Sequence, residues 1–228
     1  MNKIITTAVV AGLMVSTGWS DECNVPETEV SVSADFASAY VWRGLTVNED
    51  AVFQPGVEVS GLGLADHCGA LSVGVWGNYD IGDNDGASSS SEFSEVDWYA
   101  SYGLPSLIDG VDFSLGYTEY TYPGINGGSD KELSAGLGYS IADISIGATA
   151  YQFVGGELPI RAYYQLSAGY DLEIDEDLMV SLGASVAYTD YEGMGGLVED
   201  GLSDGSLSAS LDYTVCDNWS VGASVTYI

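Results

Sequence analysis

The chain is expected to fold as an all-β transmembrane antiparallel β-barrel of about 10–12 strands, and three observations carry that expectation. First, every second residue from Trp219 to Tyr227 is apolar (Trp219, Val221, Ala223, Val225, Tyr227), with Ser220, Gly222, Ser224 and Thr226 between. A strand greasy on one face and small or polar on the other suits a wall between lipid and water. The pattern returns over 71–79, 133–141, 180–188 and 207–215. Second, short and long connections alternate along the chain. Third, Tyr and Trp collect at both ends of the apolar faces.

Taken in order, residues 1–20 read as a secretory signal peptide. Lys3 gives a positive start, 4–15 are apolar, and Gly18-Trp19-Ser20 supplies small residues around a cleavable bond. The run is too short for a membrane helix, which needs roughly 20 apolar residues. Residues 21–28 form a short N-terminal segment on the periplasmic side, and 29–228 form the barrel. Alternation places strand candidates near 29–43, 52–63, 70–80, 94–103, 111–122, 131–141, 143–153, 160–173, 178–189, 205–215 and 218–228. Most approach the roughly nine to eleven residues of a tilted membrane strand. These are eleven candidates, whereas single-chain bacterial barrels have even counts. With an odd number, the first and last strands run parallel, or the seam stays partly open with unpaired backbone.

Short connections (64–69, 104–110, 142, 174–177, 216–218) interleave with longer Gly-, Ser- and Asp-rich ones (44–51, 81–93, 123–130, 154–159, 190–204). Barrel convention puts the short turns in the periplasm and the long loops outside. Tyr40, Trp42, Tyr79, Trp98 and Tyr188 then belong to an outer aromatic girdle, and Tyr102, Tyr139, Tyr170, Tyr213 and Trp219 to an inner one.

The formal charge is −30, with 34 acidic residues, and removal of Lys3 leaves only Arg43, Lys131 and Arg161 as basic residues. Such acidity excludes nucleic acid as a partner. It fits either a salty medium that screens self-repulsion or a role in handling cations. Inward faces are dominated by Ser, Gly, Ala and Thr, so the lumen holds water. Asp35, Arg43, Glu58, Trp76, Asp97, Glu132, Arg161 and Asp212 are the expected pore-lining residues. Opposed basic and acidic side chains near the outer mouth make either a charged constriction, ion pairs that brace the wall, or both. The excess of carboxylates predicts cation preference.

Cys23, Cys68 and Cys216 all fall at the periplasmic rim. An exported compartment favours a bridge, Cys23 to Cys68 or Cys23 to Cys216, leaving one thiol over. His67 is the single histidine and sits in a short turn, so neither a transition-metal site nor a Ser-His-carboxylate nucleophile is expected. No catalytic residues and no cofactor are expected. Acidic loop runs such as Asp83, Asp85 and Glu92, or Glu199, Asp200 and Asp204, suit a solvated exterior, binding of calcium or magnesium, or bridging to lipopolysaccharide through divalent ions.

Several segments add a family resemblance. They are Ala39-Tyr40-Val41-Trp42-Arg43-Gly44, Gly74-Val75-Trp76-Gly77-Asn78, 95–102 (Glu-Val-Asp-Trp-Tyr-Ala-Ser-Tyr), Tyr120-Thr121-Tyr122-Pro123-Gly124 and Glu132-Leu133. In this order they resemble the TorF family of proposed porins, small proteobacterial outer-membrane proteins long carried as conserved hypotheticals. Ser220-x-Gly222-x-x-Val225-x-Tyr227 resembles the C-terminal signal read by the barrel assembly machinery, with Ile228 following where the family pattern carries a further strand ending in Phe. The resemblance implies an outer-membrane, porin-like role. The expected function is passive diffusion of small hydrophilic solutes or ions, in a wall of outer-membrane lipid and lipopolysaccharide. A non-conducting structural or interaction barrel is the alternative.

Overall fold

A computed structural model describes residues 4–10, 15–16, 28–63, 69–82, 91–105, 108–123, 128–191 and 200–228, and among them there are strands and no helix. The strands in chain order are β1 (Ile4–Val10), β2 (Val15–Ser16), β3 (Glu29–Ala37), β4 (Tyr40–Trp42), β5 (Leu45–Asn48), β6 (Val52–Gly63), β7 (Ala70–Asp80) and β8 (Glu92–Gly103). They continue as β9 (Val111–Thr121), β10 (Asp130–Ile141), β11 (Ile144–Gly155), β12 (Ile160–Glu173), β13 (Leu178–Tyr191), β14 (Gly201–Cys216) and β15 (Trp219–Tyr227).

From β6 to β15 each strand pairs antiparallel with the next, and β3 pairs antiparallel with β6. The alternation in the sequence is what permits this ladder. Leu137, Leu166, Leu182 and Leu207 stand exposed on the outer face, as lipid-facing side chains of a barrel must. Their neighbours in sequence face the lumen, where glycines sit in register opposite serines: Gly136 with Ser114, Gly147 with Ser167, Gly169 with Ser145, Gly183 with Ser208. A Cβ on any of these glycines would come within 2.4–2.7 Å of the facing Ser Oγ. The middle of the barrel is therefore lined by the smallest side chains and keeps its bore.

Two features depart from the expected wall. The eleven expected strands are present, and a twelfth lies at the seam. β3 and β15 run in the same direction, and a strand antiparallel to both lies between them. β1 takes that place, pairing with β15 from Ile4↔Tyr227 to Val10↔Val221 and with β3 through Thr7↔Ala37, Ala8↔Phe36 and Val9↔Asp35. The expected leader segment thus carries the strand that brings the ring to twelve and nearly closes it. β2 makes a short contact with the start of β3.

The second departure is a correction to the first expected strand, 29–43. The wall strand ends at Ala37, the chain bends at Ser38 and Ala39, and β4 and β5 form a separate two-stranded hairpin. Tyr40 and Trp42 therefore do not belong to the outer girdle. The other expected girdle residues keep their outward stations, with Trp98, Tyr139, Tyr170, Tyr188, Tyr213 and Trp219 exposed.

Candidate functional site: a hairpin folded into the long-loop mouth

The β4–β5 hairpin turns through Arg43 and Gly44, both at positive φ (48° and 77°). Two successive left-handed residues make the tight turn whose twist suits a hairpin, and Gly44 enters that region without steric cost. The stem is tied to the wall by buried polar groups. Asn48, 1 % exposed, donates through Nδ2 to Asp80 Oδ1 at 2.7 Å and accepts from the Asp50 backbone N–H at 2.8 Å. Asn78 Nδ2 donates to the same Asp80 oxygen and to Ser94 Oγ, both at 2.9 Å, and Asn78 Oδ1 accepts from Gln54 Nε2. Buried amides of this kind persist only when paired. Tyr40, Val52, Ala37 and Ile5 form a small apolar cluster beneath the hairpin, with Trp76 packed against it.

The tip reaches the opposite wall. Arg43 Nη1 and Nη2 donate to Glu132 Oε2 and Oε1 at 2.7 and 2.9 Å. The Tyr120 hydroxyl donates to Glu132 Oε1 at 3.1 Å. The guanidinium carbon lies 4.4 Å from the ring centroids of Tyr151 and Tyr163 and 4.6 Å from that of Trp42, within cation–π range. Trp42 meets Tyr120 edge-on at 5.9 Å, and Tyr40 meets Trp76 at 5.7 Å. Tyr163 donates to Asp204 at 3.1 Å. A Cβ on Gly44 would lie 2.7 Å from Asp204 Cβ, so the turn is seated against β14.

Two cavities flank the hairpin. One, of about 380 Å³, includes Arg43, Gly44, Tyr151, Tyr163, Gln165 and Asp204 in its lining. The other, of about 340 Å³, is lined by Tyr40, Trp42, Leu45, Val47, Glu95, Tyr122, Asp130 and Leu158. Asp130 is held by the Glu157 and Leu158 backbone N–H groups and by the Tyr122 hydroxyl.

The structure brings together five of the expected pore-lining residues at this end: Arg43, Trp76, Asp97 and Glu132 around the hairpin, with Asp35 on the neighbouring luminal face of β3. Asp35 Oδ1 and Asp97 Oδ1 are buried without a hydrogen-bond partner. Glu58, hydrogen-bonded to Tyr99, and Asp212, which accepts from Ser210 Oγ at 2.8 Å, lie away from the hairpin. Arg161 stands apart. Beside a bulge between Ile160 and Ala162 it is half exposed and lies 3.3 Å from Asp190.

Cys216 carries a free, exposed thiol; Cys23, Cys68 and His67 lie outside the described residues, as do Asp83, Asp85 and Glu199. Among the described residues no group of three or more His, Cys, Asp or Glu is placed to hold a metal ion, and no helix is long and apolar enough to cross a membrane.

Sequence reasoning missed Asn48, Asn78, Asp130, Tyr151 and Asp204 as parts of this site. The one available signal was Arg43-Gly44, a turn dipeptide at the end of an apparent strand.

Residues 22–227 match the model of a family described as bacterial protein of unknown function (Gcw_chp). The chain belongs to the Gcw_chp family. The TorF likeness remains a resemblance of motifs. No curated protein matches this Gcw_chp chain. Among solved structures it is similar to the deltaS2 mutant of the monoaromatic hydrocarbon channel TodX (10 % identity, 99 % of this chain and 88 % of that one, TM-score 0.47). It is also similar to an outer membrane channel from Pseudomonas putida F1 (8 %, 99 % and 95 %, 0.42) and to OccK5 (OpdH) of Pseudomonas aeruginosa (10 %, 100 % and 96 %, 0.38).

Proposed function

We propose that this Gcw_chp protein is an outer-membrane porin-like channel through which small hydrophilic solutes diffuse passively, with cations preferred over anions. The observation that carries the reading is the contrast between the two faces of one wall. Leucines, tyrosines and tryptophans cover the outside, while glycine, serine and carboxylates line the bore. At the hairpin, Glu95, Asp97, Asp130 and Glu132 face the passage, and Arg43 is the basic residue beside them, already paired. A negative potential in a narrow, low-dielectric passage raises the local cation concentration.

In this reading the segment 1–20 directs export, the barrel assembly machinery inserts the chain, and the long-loop end with its hairpin faces outward among lipopolysaccharide. Transport uses neither cofactor nor enzymatic chemistry. The test is conductance of the refolded protein in planar bilayers under a salt gradient. A reversal potential of the sign for cation permeation is expected, and anion preference would overturn the selectivity.

A second reading, a non-conducting structural or interaction barrel, is favoured by one observation: the hairpin reaches from β3 to Glu132 and Asp204 across the bore. Folded, inserted protein that passes no current would select it.

A further inference from the structure

We propose that the cavity of about 380 Å³ at the hairpin tip is a binding site for small neutral polyols, monosaccharides foremost. The proposal rests on the channel reading and gives its hydrophilic solute a chemical class.

Hydrogen-bonding side chains cross this cavity in a row. Gln165 of β12, Ser185 of β13, Ser206 of β14 and Thr226 of β15 all line it, one from each of four adjacent strands. Ser185 and Ser206 are direct cross-strand partners, while Gln165 pairs with Ala187 and Thr226 with Ser208, each two residues along the same face. Neighbouring strands lie about 4.8 Å apart. A ring with hydroxyls around its edge can therefore meet the row at several points, and a single alcohol at only one.

This row is not spent on the protein itself. Ser185 and Ser206 share one hydrogen bond of 2.8 Å, and each hydroxyl keeps further capacity to donate or accept. Among the described residues, neither the Gln165 amide nor the Thr226 hydroxyl has a side-chain hydrogen bond to the protein. An amide offers both donors and an acceptor, as a polyol does.

The charges in the cavity are already engaged, which sets the charge of the ligand. Arg43 holds Glu132 at two points, and Asp204 accepts from the Tyr163 hydroxyl at 3.1 Å and from Ser203 Oγ at 2.8 Å. An incoming anion would face Asp204 and an incoming cation Arg43, whereas a neutral solute meets neither penalty. The rings of Trp42, Tyr120 and Tyr151 belong to the same lining. They give the C–H faces of a polyol ring an apolar flank, while the few polar groups fix its orientation.

The test uses the full chain refolded in a detergent without a sugar headgroup and calorimetric titration with glucose, with cyclohexanol as a ring of the same size carrying one hydroxyl. Saturable binding of glucose and none of cyclohexanol is expected, weakened about tenfold in a Gln165→Leu variant that keeps its heat-modifiable fold. If that variant misfolds, Thr226→Val, which exchanges a hydroxyl for a methyl on a different strand, should weaken binding about threefold. Equal binding of cyclohexanol, unchanged affinity in the folded variant, or no saturable binding overturns the site. Binding is read without current. A protein that binds glucose but does not conduct therefore refutes the channel and keeps the site, and a conducting channel that binds no glucose does the reverse.

Discussion

Arg43 and Glu132, 89 residues apart in the chain, meet in a two-point contact of 2.7 and 2.9 Å. Their side chains are only 10 % and 2 % exposed. A forked guanidinium on a carboxylate fixes orientation as well as distance. The contact therefore holds the tip of an inward-folded hairpin against the wall opposite its root.

Releasing this contact should open the passage. Arg43→Ala is expected to raise single-channel conductance and to lower stability in detergent by about 3 kcal/mol, because it strands Glu132 as an unpaired buried charge. The Arg43→Ala, Glu132→Ala double variant should keep the higher conductance while losing less stability than the two single changes together. Urea titration and bilayer recording on the same preparations check both statements. Unchanged conductance in Arg43→Ala would show that the hairpin does not limit the flow.

The turn supports the same geometry by a different route. Gly44→Val places a β-branched residue at a φ of 77° and drives a Cβ to 2.7 Å from Asp204 Cβ. The left-handed conformation alone costs roughly 1–2 kcal/mol for a residue with a Cβ. The variant should show a displaced hairpin, read as noisier and larger conductance steps. Gly201→Ala, where an added Cβ meets nothing within 4 Å, should behave as the parent does.

How much of this was legible in the sequence follows from what kind of pattern each element leaves. Wall strands leave a period of two, and the expected 160–173 coincides with Ile160–Glu173. The hairpin leaves no such distinction, because Tyr40-Val41-Trp42 continues the alternation of β3 and fits an aromatic girdle as well as a lumen. Neither Gly nor Pro marks the bend at Ser38 and Ala39. The seam strand is hidden for the opposite reason: Ile4–Val10 belongs to an apolar run that reads as a leader. A bulge between Ile160 and Ala162 sets Arg161 3.3 Å from Asp190, a placement that alternation alone does not give.

Face assignment can be tested in the middle of a wall strand. Leu166 is 60 % exposed and pairs with Ala148 and Val186, whereas Gln165 lines the cavity at the hairpin tip. Leu166→Arg should cost about 2–4 kcal/mol if it lies near the bilayer midplane, and should cut the yield of heat-modifiable protein in the membrane. Gln165→Arg, one residue away, should assemble normally and reduce cation preference. Equal assembly of the two variants would reverse or abolish the distinction between faces.

The seam gives the last prediction. β15 is flanked by β14 and β1, and residues Ile4–Val10 cover its second edge along seven paired positions. Backbone groups on an uncovered edge exchange with water or remain unsatisfied in lipid. Refolded in the same detergent, residues 1–228 should therefore show slower amide exchange across Val221–Tyr227, Asp35–Ala37 and Glu29–Val30 than residues 21–228. The difference should fall on alternate amides of β15, because antiparallel pairing sends successive N–H groups to opposite neighbours. Strands β8 to β12 serve as the internal reference, since their partners are the same in both chains. Identical protection of β15 with and without the N-terminal segment would mean that β1 does not hold this seam.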